Sequence, residues 1–166
     1  SETTAGDGSA YSPPNVFSIT EGRSFLESDL FFAGMRPAVN VGRSVSRVGG
    51  AAQTKAMKKA SGSIRIDLAQ YREMEVFTQF SSDLDDATKA QLAYGSCLME
   101  LLKQPLCNPL KLHEQVITLW TATHKNMVHV DKEQIKQYQK DMLNYLDHVY
   151  PEIGQEIHET KVLSED

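Results

Sequence analysis

The segment that decides the fold reads VGRSVSRVGGAAQT and extends from Val41 to Thr54. It changes from small, strand-compatible residues to a glycine pair followed by residues that favour helix. Arg47 lies at this change, between Ser46 and Val48, so little would shield its guanidinium from whatever faces the turn. A planar, permanently charged guanidinium suits phosphate or carboxylate oxygens. The alternative is an ordinary surface arginine that makes a local hydrogen bond.

Composition bounds the classes of protein that the chain can represent. The 166 residues are enough for one ordinary domain or for parts of two. The formal net charge of -5 gives no reason to expect nucleic acid, whose binding needs a concentrated basic face. No apolar run approaches the roughly 20 residues that would span a bilayer. The five histidines show no spacing with a second ligand that would predict a metal site.

Residues before Gly50 predict an incomplete α/β unit. Glycines and prolines within 1–14 predict a polar loop. Asn15 to Thr20 predicts a short strand closed by a turn at 21–22, and Ala38 to Val45 predicts a second extended segment. The segment 24–32 is ambiguous between a helical turn and a strand. Because these strands are too few to form a sheet alone, the residues before Gly50 predict only part of an α/β domain.

Residues from Gly50 onwards predict an antiparallel helical bundle. Apolar residues at helical spacing predict helices that end near residues 80 and 123 and one that stops at Pro151. Cap chemistry at 81–83 predicts a further helix through about residue 103, and a short last helix is expected over 152–158. The expected N-terminal caps are 81–83, Asn108 followed by Pro109, and Asp131. The predicted fold is therefore mainly α, with a boundary near Gly50.

Several segments together resemble the alpha subunits of F-type ATP synthases. The run GRSVSRVGGAAQTKAMKK at 42–59 is similar to the segment that carries the arginine finger in that family. Further matching segments are SAY (9–11), NVFSITEG (15–22), GMRPAVN (34–40), LAQYRE (68–73), FTQFSSDLD (77–85) and ELLKQ (100–104). The resemblance implies that residues 1–49 end an α/β P-loop nucleotide-binding domain and that residues 50–166 form the C-terminal helical domain.

The resemblance implies roles for individual residues. Arg47 would be the arginine finger, which acts in trans at the catalytic site of an adjacent beta subunit and stabilises charge on the transferred phosphoryl group. Ser46 and Ser18 would line the same interface, although an ordinary strand serine is the alternative for Ser18. Asp83 and Asp85 would face the gamma subunit of the rotating central stalk, with helix capping as the alternative.

A second set of residues would border the adenine of the alpha subunit's own, non-catalytic nucleotide. Arg36, Pro37 and Gln104 match family positions there, but Leu106 replaces a second glutamine and cannot hydrogen-bond the purine edge. The P-loop pattern is absent, since 50–55 lacks its second glycine and hydroxyl residue. ATP or ADP with Mg²⁺ would therefore be bound mainly by partner chains, and the isolated chain should not hydrolyse ATP.

The resemblance also implies a cellular role. The chain would belong to the F1 motor of the H⁺-transporting ATP synthase, which couples proton flow to ATP synthesis or hydrolysis through the central stalk. Its partners would be a separate chain with the P-loop half of alpha, the subunit being split or cleaved before Ser1, together with beta subunits, gamma and the peripheral stalk. Contact with the membrane would run only through the Fo sector.

The expected location is the matrix side of the mitochondrial inner membrane, with a bacterial or plastid enzyme as alternatives. A stand-alone helical interaction module without a catalytic role is the competing function. A beta subunit is a weaker third interpretation, because beta would carry an acidic DELSEED loop where this chain has SSDLD at 81–85.

Overall fold

The computed structural model describes residues 15, 18–78 and 84–164, and most of them are helical. The prediction of a mainly α fold with a helical bundle is confirmed. Among the described residues, none of the helices is both long and apolar enough to cross a membrane. The elements follow in the order β1 (Gly22–Arg23), α1 (Ser28–Phe32), β2 (Val45–Ser46), α2 (Gly49–Ala52), α3 (Lys55–Ser61), α4 (Ile64–Thr78), α5 (Asp86–Leu102), α6 (Leu112–Thr123), a 3₁₀ turn (Lys132–Gln134), α7 (Ile135–Val149) and α8 (Pro151–Thr160).

A small antiparallel sheet holds the N-terminal region together. Gly22 of β1 lies opposite Ser46 of β2, and a single bridge between Leu26 and Val39 continues the pairing. The N–H of Asn40 donates to the Phe25 carbonyl at 2.8 Å. This ladder keeps the segment before α2 close to β1, so the turn after β2 has a defined position.

The strand predicted from Asn15 to Thr20 is wrong. Asn15, Ser18 and Ile19 are helical, and the strand lies instead at Gly22–Arg23, where the turn was expected. A strand needs a paired neighbour for its backbone groups, and among the described residues β2 is the neighbour and pairs with 22–23. In the segment before it, the Ser18 hydroxyl donates to the Asn15 carbonyl at 2.7 Å.

The second predicted extended segment, 38–45, is interrupted by a turn at 41–43. The Asn40 side chain explains this turn, because its Oδ1 accepts from the Arg43 N–H at 3.1 Å. The ambiguous segment 24–32 resolves into an extended stretch followed by the short helix α1.

Within the part of the chain that the structure describes, the helices bury two adjoining apolar clusters. Helices α4 and α5 pair with each other, α3 packs on α6, and α8 packs on α6 and α7. The first cluster lies between α4, α5 and the chain that leads into the first residue of α7, and includes Leu68, Leu98, Met127 and Ile135. The second lies between α3, α6, α7 and α8, and includes Ala60, Val116, Leu143 and Ile157.

Local capping explains where the helices begin. The Asp85 side chain accepts from the Thr88 N–H at 3.3 Å and caps α5, whereas the cap expected over 81–83 lies outside the described residues. Helix α6 does not begin at Pro109 as predicted, because the N–H of Lys111 is satisfied by the Glu114 carboxylate at 2.6 Å.

The end of α5 is tied to α7 by a partly buried lysine. Lys136 donates from Nζ to the Leu101 carbonyl at 2.7 Å and to Gln139 at 3.2 Å. The buried Gln139 amide in turn donates to the Thr118 hydroxyl on α6. Desolvation lowers the pKa of Lys136 below its ordinary value, opposed by the nearby carboxylate of Glu100. These bonds fix the chain just before Gln104.

The Tyr94–Asp67 pair gives a testable dependence of stability on pH. Tyr94 is 5% exposed, and its hydroxyl donates to the Asp67 carboxylate at 2.9 Å. Burial, and then Asp67, raise the pKa of Tyr94 well above its ordinary value. The folded state therefore holds the hydroxyl proton of Tyr94 more tightly than the unfolded state does. The stabilisation that this proton gives to the folded state is complete below about pH 10, the pKa of tyrosine in the unfolded chain, and it is lost as the pH rises further.

We expect Tyr94→Phe to lower the free energy of unfolding by about 1 kcal/mol at neutral pH, the worth of one hydrogen bond. It should also weaken the fall in stability above about pH 10. Urea unfolding at a series of pH values measures both effects. Tyr138→Phe, at a partly exposed position of α7, is the control and should leave stability at neutral pH unchanged. An unaltered alkaline slope in Tyr94→Phe would contradict the prediction.

Candidate functional site

Arg47 lies in the turn between β2 and α2. Its backbone N–H donates to the Glu21 carbonyl at 2.9 Å, which ties the turn to the chain entering β1. Its side chain is exposed and makes no hydrogen bond or ion pair with any residue that the structure describes. An open cleft beside it is lined by Thr20, Glu21, Gly22, Arg23, Val45 and Arg47. The guanidinium is therefore available to a group that approaches from outside.

Ser46 fixes the turn that carries Arg47. Its hydroxyl accepts from the Gly49 N–H at 2.9 Å, three residues further on. A Cβ atom at Gly49 would lie 2.8 Å from the Ser46 hydroxyl oxygen and 2.9 Å from its Cβ. Glycine is thus required here by close approach, and the predicted interface role of Ser46 is accompanied by a structural role as a local clamp.

Ser18 is exposed, and its hydroxyl is used inside its own helical turn by the bond to Asn15. It is therefore not the strand serine that the sequence predicted. Its assignment to the interface with Arg47 stays a prediction.

The three residues assigned to the adenine border lie in two neighbouring segments. The N–H of Gln104 donates to the Arg36 carbonyl at 2.8 Å, and Pro37 follows Arg36 through a cis peptide bond. The Arg36 guanidinium carbon lies 4.4 Å from the centroid of the Phe31 ring. This cation–π contact was not expected from the sequence, although an aromatic residue shortly before an Arg-Pro pair could have suggested it.

The loop after Gln104 has a defined local structure. The Gln104 side-chain amide donates to the Asn108 carbonyl at 3.0 Å, so its amide group faces back into the loop. Leu106, where the resemblance led us to expect a second glutamine, is 94% exposed. A leucine side chain has no hydrogen-bonding atom, so Leu106 cannot make a polar contact with a base.

Asp85 is occupied as the cap of α5. Hydrogen bonding from the Thr88 side chain, the largest cause, lowers the pKa of Asp85 below its ordinary value. The carboxylate therefore caps the helix N-terminus, which was the alternative to a role at the central stalk. It also remains exposed. Asp83 lies outside the described residues.

One cluster of possible metal ligands was missed by inspection of spacing. The ligand atoms of His113, Glu114 and Asp147 lie within 4.8 Å of one another. No sequence spacing signals this group, because Asp147 comes from α7 whereas the other two residues open α6.

Together, the fold and the site define a helical bundle preceded by a small sheet, which presents an arginine that has no side-chain partner among the described residues. Comparison with known families matches residues 53–166 to "ATP synthase alpha/beta chain, C terminal domain" and residues 2–46 to "ATP synthase alpha/beta family, nucleotide-binding domain". The chain belongs to the ATP synthase alpha/beta family.

One relative of this chain within that family is an alpha subunit. The chain is 53% identical over 165 residues to the protein named ATP synthase subunit alpha from Clostridium botulinum. The match covers 99% of this chain and 33% of the relative. The chain thus spans about a third of the length of the relative it matches.

Proposed function

We propose that the chain forms the C-terminal part of an alpha subunit in the F1 motor of an H⁺-transporting ATP synthase. In this proposal Arg47 supplies positive charge in trans to the catalytic nucleotide site of a neighbouring beta subunit. The observation that carries it is the exposed guanidinium of Arg47, which has no partner among the described residues, on a turn held by two hydrogen bonds. A charge on such a turn is positioned before its ligand arrives.

The chemistry follows from charge development during phosphoryl transfer. Negative charge spreads over the oxygens of the transferred group, and an arginine can stabilise it through two parallel hydrogen bonds. Val45 and Val48 beside Arg47 are exposed in this chain. If a beta subunit covers them, water is displaced around the guanidinium and its electrostatic effect is strengthened.

The second proposed role is a share in the non-catalytic nucleotide site. The hydrogen bond from the Gln104 N–H to the Arg36 carbonyl holds Gln104 next to Arg36 and Pro37, which supports a shared role for these residues at one site. Nothing in 50–55 can act as a P-loop. The phosphates and Mg²⁺ of ATP or ADP would be bound by residues outside these 166, and the isolated chain would not be catalytic.

Exposed apolar side chains in the N-terminal region support assembly with further protein. Ile19, Leu26 and Phe32 are each more than two-thirds exposed, which is unfavourable in water unless another surface covers them. We assign this cover to the P-loop part of the alpha subunit, whether on the same chain or a separate one. Beta subunits, the gamma stalk facing Asp83 and Asp85, and the peripheral stalk complete the proposed partners of the hetero-oligomer.

The proposed assembly also places the chain relative to the membrane. The chain meets the membrane only through the Fo sector, where proton flow is coupled to rotation. The location expected from the resemblance is the matrix side of the mitochondrial inner membrane. The Clostridium botulinum relative is bacterial and does not support a mitochondrial location. A bacterial membrane is therefore the alternative location.

Native mass spectrometry of the purified material tests the assembly. The proposal expects a large complex that contains this chain, P-loop alpha sequence and beta. A folded chain found alone would instead favour the competing function, a stand-alone helical interaction module. The direct test of Arg47 is the rate of ATP hydrolysis by the assembled complex.

Gly49→Ala should slow ATP hydrolysis by the assembled complex about 10- to 100-fold, because a shift of about 1 Å in a catalytic group costs up to that much. The new Cβ would push against Ser46 and displace the turn that carries Arg47. Gly50→Ala is the matched control, since a Cβ there meets nothing within 4 Å. Steady-state hydrolysis rates compare the two variants. Equal rates would show that the clamp does not position Arg47.

A further inference from the structure

Three potential ligands meet where the start of α6 approaches the end of α7. His113 and Glu114 lie in the first turn of α6, and Asp147 lies in the last turn of α7. Their ligand atoms are all within 4.8 Å of one another. His113 and Glu114 are partly buried and Asp147 is exposed, so one side of the cluster is open to an ion from solution.

The environment of His113 points to an unsatisfied ligand. Its Cδ2 atom faces Gly154 of α8, where a Cβ would lie 3.2 Å away. Its Nδ1 atom is buried and has no hydrogen-bond partner among the described residues. Buried polar atoms are nearly always paired, and coordination of a metal ion by a neutral imidazole is one way to satisfy a ring nitrogen.

Glu114 is held in place by the backbone. One carboxylate oxygen, Oε2, accepts from the Lys111 N–H at 2.6 Å, which leaves Oε1 for an ion. Hydrogen bonds of this kind orient a coordinating carboxylate and strengthen a metal site. Asp147 has the freedom of an exposed side chain, so it can shorten the remaining ligand distances when an ion is present.

The donor set selects a class of ion. One imidazole nitrogen and two carboxylate oxygens suit Zn²⁺, which binds nitrogen and oxygen at about 2.0–2.2 Å and often adds water as a fourth ligand. Mg²⁺ and Ca²⁺ prefer oxygen ligands alone. The cluster therefore favours a divalent transition-metal ion over the Mg²⁺ that accompanies nucleotides.

We propose that His113, Glu114 and Asp147 form a binding site for a divalent transition-metal ion of the Zn²⁺ class. The site joins the first turn of α6 to the last turn of α7, beside α8. It lies in the helical bundle and does not depend on the proposed role of Arg47. A bound ion stabilises the folded state by mass action, so its effect is on the stability of the bundle.

The test uses purified, nucleotide-free protein that carries this chain, with Zn²⁺ as the probe in thermal unfolding and Co²⁺ as the probe in visible absorption. We expect Zn²⁺ to raise Tm, and Co²⁺ to give absorption bands of a low-coordinate site. Asp147→Asn should weaken Zn²⁺ binding about 10-fold or more, the effect of losing even an outer contact in such sites.

Asp141→Asn is the matched control, because it makes the same change in charge at another exposed position of α7. It should bind Zn²⁺ as the parent does. A Tm that does not respond to Zn²⁺, or an equal response in the Asp147 and Asp141 variants, would overturn the proposal. So would a shift of the same size with Mg²⁺. Because Asp147 is exposed, its variant should fold normally without metal.

Discussion

Arg47→Ala should reduce steady-state ATP hydrolysis by the assembled complex by a factor on the order of 10³ to 10⁵, the range known for arginine fingers. The side chain is exposed and makes no hydrogen bond or ion pair with the residues that the structure describes. Its removal should therefore leave folding and assembly intact. The expected loss concerns the transition state, so it should appear in kcat, while nucleotide binding changes little.

Arg43→Ala provides the control for this prediction. Arg43 lies on the same segment, but its guanidinium pairs with Glu27 at 3.2 Å, so its charge serves the N-terminal region. That variant should assemble and hydrolyse ATP at close to the parent rate. Mass spectrometry of both complexes verifies equal assembly before rates are compared. Normal turnover by the Arg47 variant would remove it from the catalytic mechanism.

Gly95→Ala should destabilise the bundle by about 2 kcal/mol or more. Gly95 is buried where α5 crosses α4, and a Cβ there would overlap the Tyr71 ring and lie 2.5 Å from the Tyr71 Cβ. Overpacking of this kind costs about 1–3 kcal/mol or more. The gain of roughly 1 kcal/mol from replacing a helical glycine by alanine offsets it only in part, because the two helices must separate.

Urea unfolding of Gly95→Ala measures the effect, with Gly50→Ala as a helical glycine that has free space around it. The control should be as stable as the parent or slightly more stable. Adding Tyr71→Ala to the Gly95 variant removes the ring overlap, so part of the lost stability should return and reveal coupling between the two positions. Unchanged stability in Gly95→Ala would mean that α4 and α5 are less closely packed than described.

Local sequence patterns predicted most of the helical region. Apolar residues at helical spacing identified α4 and α7, capping residues led to the prediction of α5, and Pro151 correctly marked the end of α7, which stops at Val149. These features depend on residues only a few helical turns apart, so the local sequence is enough to predict them. The predicted start of α6 failed for a similar local reason, because Glu114 rather than Asn108 satisfies its first free backbone group.

Strand positions were less predictable. Residues 15–20 predict a strand, yet a strand forms only where a neighbour accepts its hydrogen bonds. Among the described residues that neighbour, β2, pairs with 22–23 instead. The proximity of the candidate nucleotide residues was equally hard to predict, because the hydrogen bond between Gln104 and Arg36 joins segments that lie far apart in the chain.

The sequence by itself determined the helical bundle, the small-residue turn around Arg47 and the absence of a P-loop, because each of these features depends on residues that are close together in the chain. Only the tertiary structure decided that Gly95 must accommodate Tyr71, that Arg36 meets Gln104, and that Asp147 joins the pair at the start of α6. Contacts between distant segments depend on how the helices pack, and no periodicity in a single segment records them.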